Sequence, residues 1–215
     1  KSIRLRIKTL FTGVLIMISQ ENYQALKEKY GQCGSWTVWA APGETPKSNT
    51  NDMSWVNDPQ LLSMLDTGFI FVGLNWSSTH GDISAGGTID WANFHSGYSR
   101  QNDYKLRYAL MGTPYWGSYI TDLLKFYSEV DSNKVGAYIR ENPWFVEENI
   151  EAFEREISYL KKDPVLVALG GKSYELLCKY LGNRYRIAQI KHYSYTIGKE
   201  DYREEVLREL SKYSG

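Results

Sequence analysis

Three short stretches of this chain carry side chains able to do chemistry: Gly73-Leu-Asn75-Trp-Ser77, Thr121-Asp122-Leu-Leu-Lys125 and His192-Tyr-Ser194. Each sits just past a segment that reads as a β-strand. In open α/β sheets ligands bind in the crevice outside the carboxyl ends of the strands, so the three stretches are placed to share a pocket. A histidine there can act as a hydrogen-bond donor without carrying a full charge, and an ionised carboxylate only accepts. Each residue also has a plainer reading. Asn75 suits a turn, His192 suits a structural role, and Asp122 suits the cap of a helix starting at Leu123.

Other chemistries lack their residues. Leu169-Gly-Gly-Lys-Ser173 follows a strand and opens a helix, yet the position five before Gly171 is Leu166, so the phosphate loop cannot wrap. No Gly-x-Ser-x-Gly elbow occurs, which removes support for a serine hydrolase. Two distant cysteines, Cys33 and Cys178, and three scattered histidines give no metal-ligand spacing. No metal or cofactor is expected, and the cysteine usage fits a reducing, cytoplasmic compartment. The 25 basic and 25 acidic side chains cancel, so nucleic acid would have to be held by a local basic face.

The elements that must position these residues alternate between strand and helix. Phe69–Gly73 is a short apolar run that reads as a strand buried on both faces. Ser35–Trp39 has strand composition, and Tyr119–Thr121, Val165–Leu169 and Tyr185–Ile190 are further strands. Helices are expected over Ser19–Tyr30, Asp58–Leu65, Tyr104–Met111, Leu123–Tyr127, Glu147–Lys162, Ser173–Leu181 and Glu200–Tyr213. Asn75 to Asp103 forms a long connection whose aromatics, Trp91, Phe94 and Tyr98, serve either as a pocket wall or as satellite packing. The pattern predicts an α/β fold: a three-layer αβα sandwich around a mostly parallel sheet of about four strands. One domain over residues 19–215 is expected. Residues 1–18, basic and then apolar, are set apart as an extension of uncertain nature, with Met17 as an alternative start. The apolar run there is too short to span a bilayer.

The order and spacing of the three motifs, with Ala168-Leu-Gly170 before its helix, resemble the uracil-DNA glycosylase superfamily over about Trp36 to Thr196. The likeness is to its cofactor-free, mismatch-specific and single-strand-selective branches, since the iron–sulfur branches need four cysteines. It implies that Asn75 positions the water attacking the sugar and that His192 hydrogen-bonds the departing base. It implies that Ser194 holds a phosphate and that the loop over Tyr195, Thr196 and Ile197 wedges the strand. Phe94, with Trp91 close behind, would stack on the flipped base, in a pocket completed by Gly73, Trp76 and Asp122.

Breaking an N-glycosidic bond leaves negative charge on the base, which a donor in a dry pocket stabilises. The nucleotide must first leave the stack, so wedge and aromatic platform belong together. Trp76 and Tyr193 stand where the family has proline, and Asp122 where it usually has Asn. An ionised Asp122 would repel O4 of uracil but accept from an amino group, so a base other than uracil is one reading and a helix cap the other. Lys161, Lys162, Lys172, Lys179, Arg184, Arg186 and Lys191 lead into His192, either as a phosphate-binding face (Lys172 and Lys191 above all) or as solvated surface. The expected function is therefore a monomeric DNA glycosylase acting on single- or double-stranded DNA, without a membrane partner. A catalytically weak nucleic-acid-binding relative and a small-molecule nucleoside hydrolase are the alternatives.

Overall fold

The computed structural model describes residues 17–76, 90–98, 101–125, 127, 129 and 131–214. The Gly- and Ser-rich part of the long connection, residues 77–89, lies outside them, as do residues 1–16. The chain runs α1 (Gln20–Tyr30), β1 (Gly34–Trp36), α2 (Leu61–Met64), β2 (Asp66–Asn75), α3 (Asp103–Leu110), β3 (Ser118–Leu124), α4 (Ser132–Glu141), α5 (Pro143–Ile157), β4 (Val165–Leu169), α6 (Gly171–Leu181), β5 (Arg186–Ile190) and α7 (Lys199–Leu210). Five strands form one sheet in the order β1-β3-β2-β4-β5. All neighbours are parallel except β1, which runs antiparallel along the outer edge of β3.

Alternation along the strands divides the core in two. Ile70, Val72, Tyr119, Leu123, Leu166 and Ala168 face α1, α5 and α6 through Leu26, Phe153 and Leu177. Phe71, Ile120, Val167, Leu169, Ala188 and Ile190 face α3 and α7 through Leu106, Leu110, Tyr202 and Val206. Buried on both faces, the middle of β2 and all of β4 need near-continuous apolar sequence, which is what they have, whereas β3 also buries Ser118, Thr121 and Asp122. Ile18, assigned from the sequence to the extension, is buried in the first of these cores.

Three expected helices differ, the one over Asp58–Leu65 shrinking to the single turn of α2. Leu123 and Leu124 do not begin a helix; they continue β3, with Asp122 paired to Gly73 and Leu124 to Asn75. Their backbone groups belong to the parallel ladder, and both side chains are fully buried. Asp122 is thus inside a strand, and the helix-cap reading fails. The helix that does follow, α4, starts later, where Asp131 caps it by accepting from Asn133 N at 2.8 Å. Helix α5 starts at Pro143, four residues before the expected Glu147, with proline in its first turn.

The connections locate a crevice. After β2 the chain reaches α3 on one face, and after β4 it enters α6 on the other. Where neighbouring strands send their connections to opposite faces, a cleft opens at their carboxyl ends. In this sheet that place is between β2 and β4.

Candidate active site at the carboxyl ends of the strands

Gly73 and Asp122 face each other across the β2–β3 pair, two residues before the carboxyl ends of these strands. A Cβ on Gly73 would collide with Asp122 Oδ1, so the carboxylate rests directly over the glycine backbone. The ring edge of Phe94 lies 3.6 Å from that same Cβ position. Phe94 and Trp91 both have left-handed backbone (φ 65 and 68), a conformation uncommon for bulky residues and held only by local contacts.

Asn93 supplies those contacts. Its Nδ2 donates to Cys33 O at 2.7 Å and to Asp122 Oδ2 at 3.1 Å, while its Oδ1 accepts from Phe94 N. One side chain therefore orients both the carboxylate and the aromatic ring. Burial pushes the Asp122 carboxyl up to about 6, against the lowering effects of the Asn93 bond and the Lys125 charge. Asn93 was not singled out in the sequence; an Asn between two aromatics in a turn-rich stretch gives no distinguishing signal.

His192 lies just past β5, with its Cβ 3.6 Å from where a Cβ on Gly170 would be. Gly170 has φ +94, which only glycine adopts without strain, and its N–H donates to Ile190 O. This turn draws the ends of β4 and β5 together, and β4 stands between the strand that leads into His192 and β2. The Nδ1 of His192 accepts from Ser194 N at 3.2 Å and lies 2.7 Å from Ser194 Oγ. Since the backbone N–H can only donate, Nδ1 is an acceptor and the neutral ring carries its proton on Nε2. Burial lowers the ring's pKa to about 4, so it stays neutral at physiological pH. Tyr193 links the two halves of the site. It is buried against the α3–α7 face, and its phenol is held protonated by burial and by the charges of Asp103 and Asp122.

Asn75 closes the end of β2. Its Nδ2 donates to Tyr127 O at 3.1 Å and Glu129 O at 2.7 Å, anchoring the segment that leaves β3. Trp91 does not line the site: it is fully buried, donates from Nε1 to Tyr23 OH, and packs edge-on against Trp36 and Tyr119. A stacking platform needs an open ring face, which Trp91 lacks. Trp76 points to the other side of the sheet, into a cleft of about 600 Å³ shared with Tyr30, Cys33, Asp90 and Lys125. There a buried ion pair joins Lys125 to Glu156 at 2.6 Å, and Lys125 also donates to Thr121 Oγ1 and Asp122 O.

The basic stretch separates in space. Because β5 runs from Arg186 to Ile190 and α6 ends at Leu181, Lys161, Lys162, Lys179, Arg184 and Arg186 lie at the opposite end of the sheet from His192. Of the cations near His192, Lys172 donates to Ser132 O and Asn133 Oδ1, and Lys191 pairs with Glu205 at 2.6 Å. The continuous face expected from sequence is not formed. Ser194, Tyr195 and Thr196 are exposed, and the buried Lys105 holds their loop by donating to Tyr195 O at 2.9 Å.

Among the described residues no three His, Cys, Asp or Glu side chains gather as a metal site, and no helix is long and apolar enough to cross a membrane. Compared with models of known protein families and with curated proteins, the sequence matches none of them.

Proposed function

We propose that this chain hydrolyses the N-glycosidic bond of a nucleotide flipped out of DNA, using a three-layer fold of the uracil-DNA glycosylase kind. The observation that supports this reading best is the fixed tautomer of His192. With Nδ1 occupied by Ser194, the imidazole offers Nε2–H as a donor and stays uncharged. Departure of a base leaves negative charge on its carbonyl oxygen, and a neutral donor stabilises that charge without completing a proton transfer.

The other residues fill matching roles. Phe94 stacks on the base, and Asp122 meets its hydrogen-bonding edge. The two donor bonds of Asn75 direct its amide hydrogens into the protein, leaving Oδ1 to orient the attacking water. The exposed Tyr195 and Thr196 enter the stack in place of the base. Ser194 both holds His192 and reaches phosphate. DNA is contacted through this loop and main-chain groups rather than through a broad basic face.

The test is formation of alkali-labile abasic sites in oligonucleotides carrying single uracil, hypoxanthine, xanthine or modified cytosine bases. Release of at least one base is expected, reduced by about 100-fold or more in His192→Ala, as for loss of one preorganised donor. Absence of release across the panel, with free nucleosides cleaved instead, would assign the site to a nucleoside hydrolase.

A further inference from the structure

We infer that Asp122 selects a base presenting an amino group at its pairing edge, so that the substrate class is an aminopyrimidine rather than uracil. This inference rests on the base-excision reading and adds to it the identity of the substrate edge.

The argument is one of donors and acceptors. A uracil-type edge offers N–H and C=O, and the pocket must supply a donor to the C=O. Among the described residues, the side-chain N–H groups bonded around Asp122 are already committed. Both amide hydrogens of Asn93 go to Cys33 O and to Asp122 Oδ2. The ammonium of Lys125 serves Thr121 Oγ1, Asp122 O and Glu156. Asp122 Oδ1 is seated over Gly73 beside the edge of Phe94. An ionised carboxylate is an acceptor only. It meets an exocyclic amino group well, in the way acidic side chains accept from cytosine N4, and it faces a carbonyl oxygen with repulsion.

The seating is built into the backbone. Asp122 reaches this position because Gly73 has no Cβ and because the parallel register sets residues 73 and 122 opposite one another. Asn93 then fixes the plane of the carboxylate from its second oxygen. Asn93 is a positioning residue here; it acts on the base through Asp122.

The experiment compares single-stranded oligonucleotides with one 5-fluorocytosine or one 5-fluorouracil, the fluorine weakening the glycosidic bond in both. Rates are measured with enzyme in excess above pH 7, for the wild-type chain and Asp122→Asn. The wild-type chain is expected to release 5-fluorocytosine on the order of 10-fold faster. Asp122→Asn, which supplies a donor in the same shape, is expected to invert the preference. Faster release of 5-fluorouracil by the wild-type chain overturns the inference while leaving base excision standing. An unchanged ratio in the variant overturns the role of Asp122. Release of neither base, nor of any in the wider panel, overturns the underlying reading instead. The wild-type ratio decides the point even where the variant does not fold.

Discussion

Asn93 Nδ2 lies 3.1 Å from Asp122 Oδ2, and this contact joins the loop that carries Phe94 to the carboxylate near the end of β3. The bond favours the ionised form of Asp122, opposing the burial that pushes its pKa up to about 6. Around it the parallel register, the missing Cβ at Gly73 and the turned backbone of residues 91–94 act together. Remove any one, and the carboxylate loses its seat.

Asn93→Ala should therefore raise the Asp122 pKa further and leave Cys33 O without its partner. The expected cost in stability is about 1–3 kcal/mol, that of an unsatisfied buried group, read by urea unfolding. Release of an amino-bearing base should rise with pH as Asp122 ionises, with a midpoint near 6 in the wild-type chain. In Asn93→Ala that midpoint should move upward. A midpoint that stays put would show that the bond does not tune Asp122.

Asp103 gives a stability prediction with a definite sign. Buried at the start of α3 and accepting from Ser96 N at 2.9 Å, its carboxyl is pushed up to about 7 from an ordinary value of 3.8. Between those values the unfolded chain has released a proton that the folded chain retains, so stability falls as pH rises through the window. Asp103→Asn removes the titration. The melting temperature of the wild-type chain minus that of the variant should be lower at pH 8 than at pH 4; an equal difference at both would contradict the assignment.

The Lys125–Glu156 pair is buried on both sides. Lys125→Met should cost about 3–5 kcal/mol by leaving a carboxylate without its partner. Adding Glu156→Gln should recover a good part of that loss, because an amide is far less costly to bury than an unpaired charge. Equilibrium denaturation of the single and double variants measures the recovery.

Asn75 can be tested by separating its two ends. Asn75→Asp keeps an oxygen for water but removes the donors to Tyr127 O and Glu129 O, whereas Asn75→Ala removes both. Both variants should lose stability. Only Asn75→Ala should lose the water-orienting function, so its rate of base release should fall well below that of Asn75→Asp when both are assayed folded. Equal rates would leave Asn75 with the anchoring role alone.

Much of this arrangement was legible in the residues themselves. The apolar runs of β2 and β4 declare strands buried on both faces, and the three chemical motifs fall at or just past the carboxyl ends of β2, β3 and β5. The end of β3 could not. Asp122-Leu-Leu has the look of a capped helix start, and only pairing with β2 makes it strand. Trp91 and Trp76 looked like pocket walls because an aromatic in a long connection carries no mark of which core it enters. Trp91 joined the Trp36–Tyr119 cluster. The basic residues were adjacent in sequence, but a strand and a helix separate them by their own length, and sequence proximity to His192 became distance from it. Asn93 was invisible because its role consists wholly of hydrogen bonds to groups remote in the chain.

The measurement that bears most directly on the whole account is abasic-site formation in a base-panel oligonucleotide assay, run from pH 4 to 8 on the wild-type chain and His192→Ala. A neutral His192 held by Ser194 predicts release of at least one base, with His192 itself failing only toward pH 4, and a loss of about 100-fold or more in the variant. Equal release by the two chains, or none by either from any base, would contradict it.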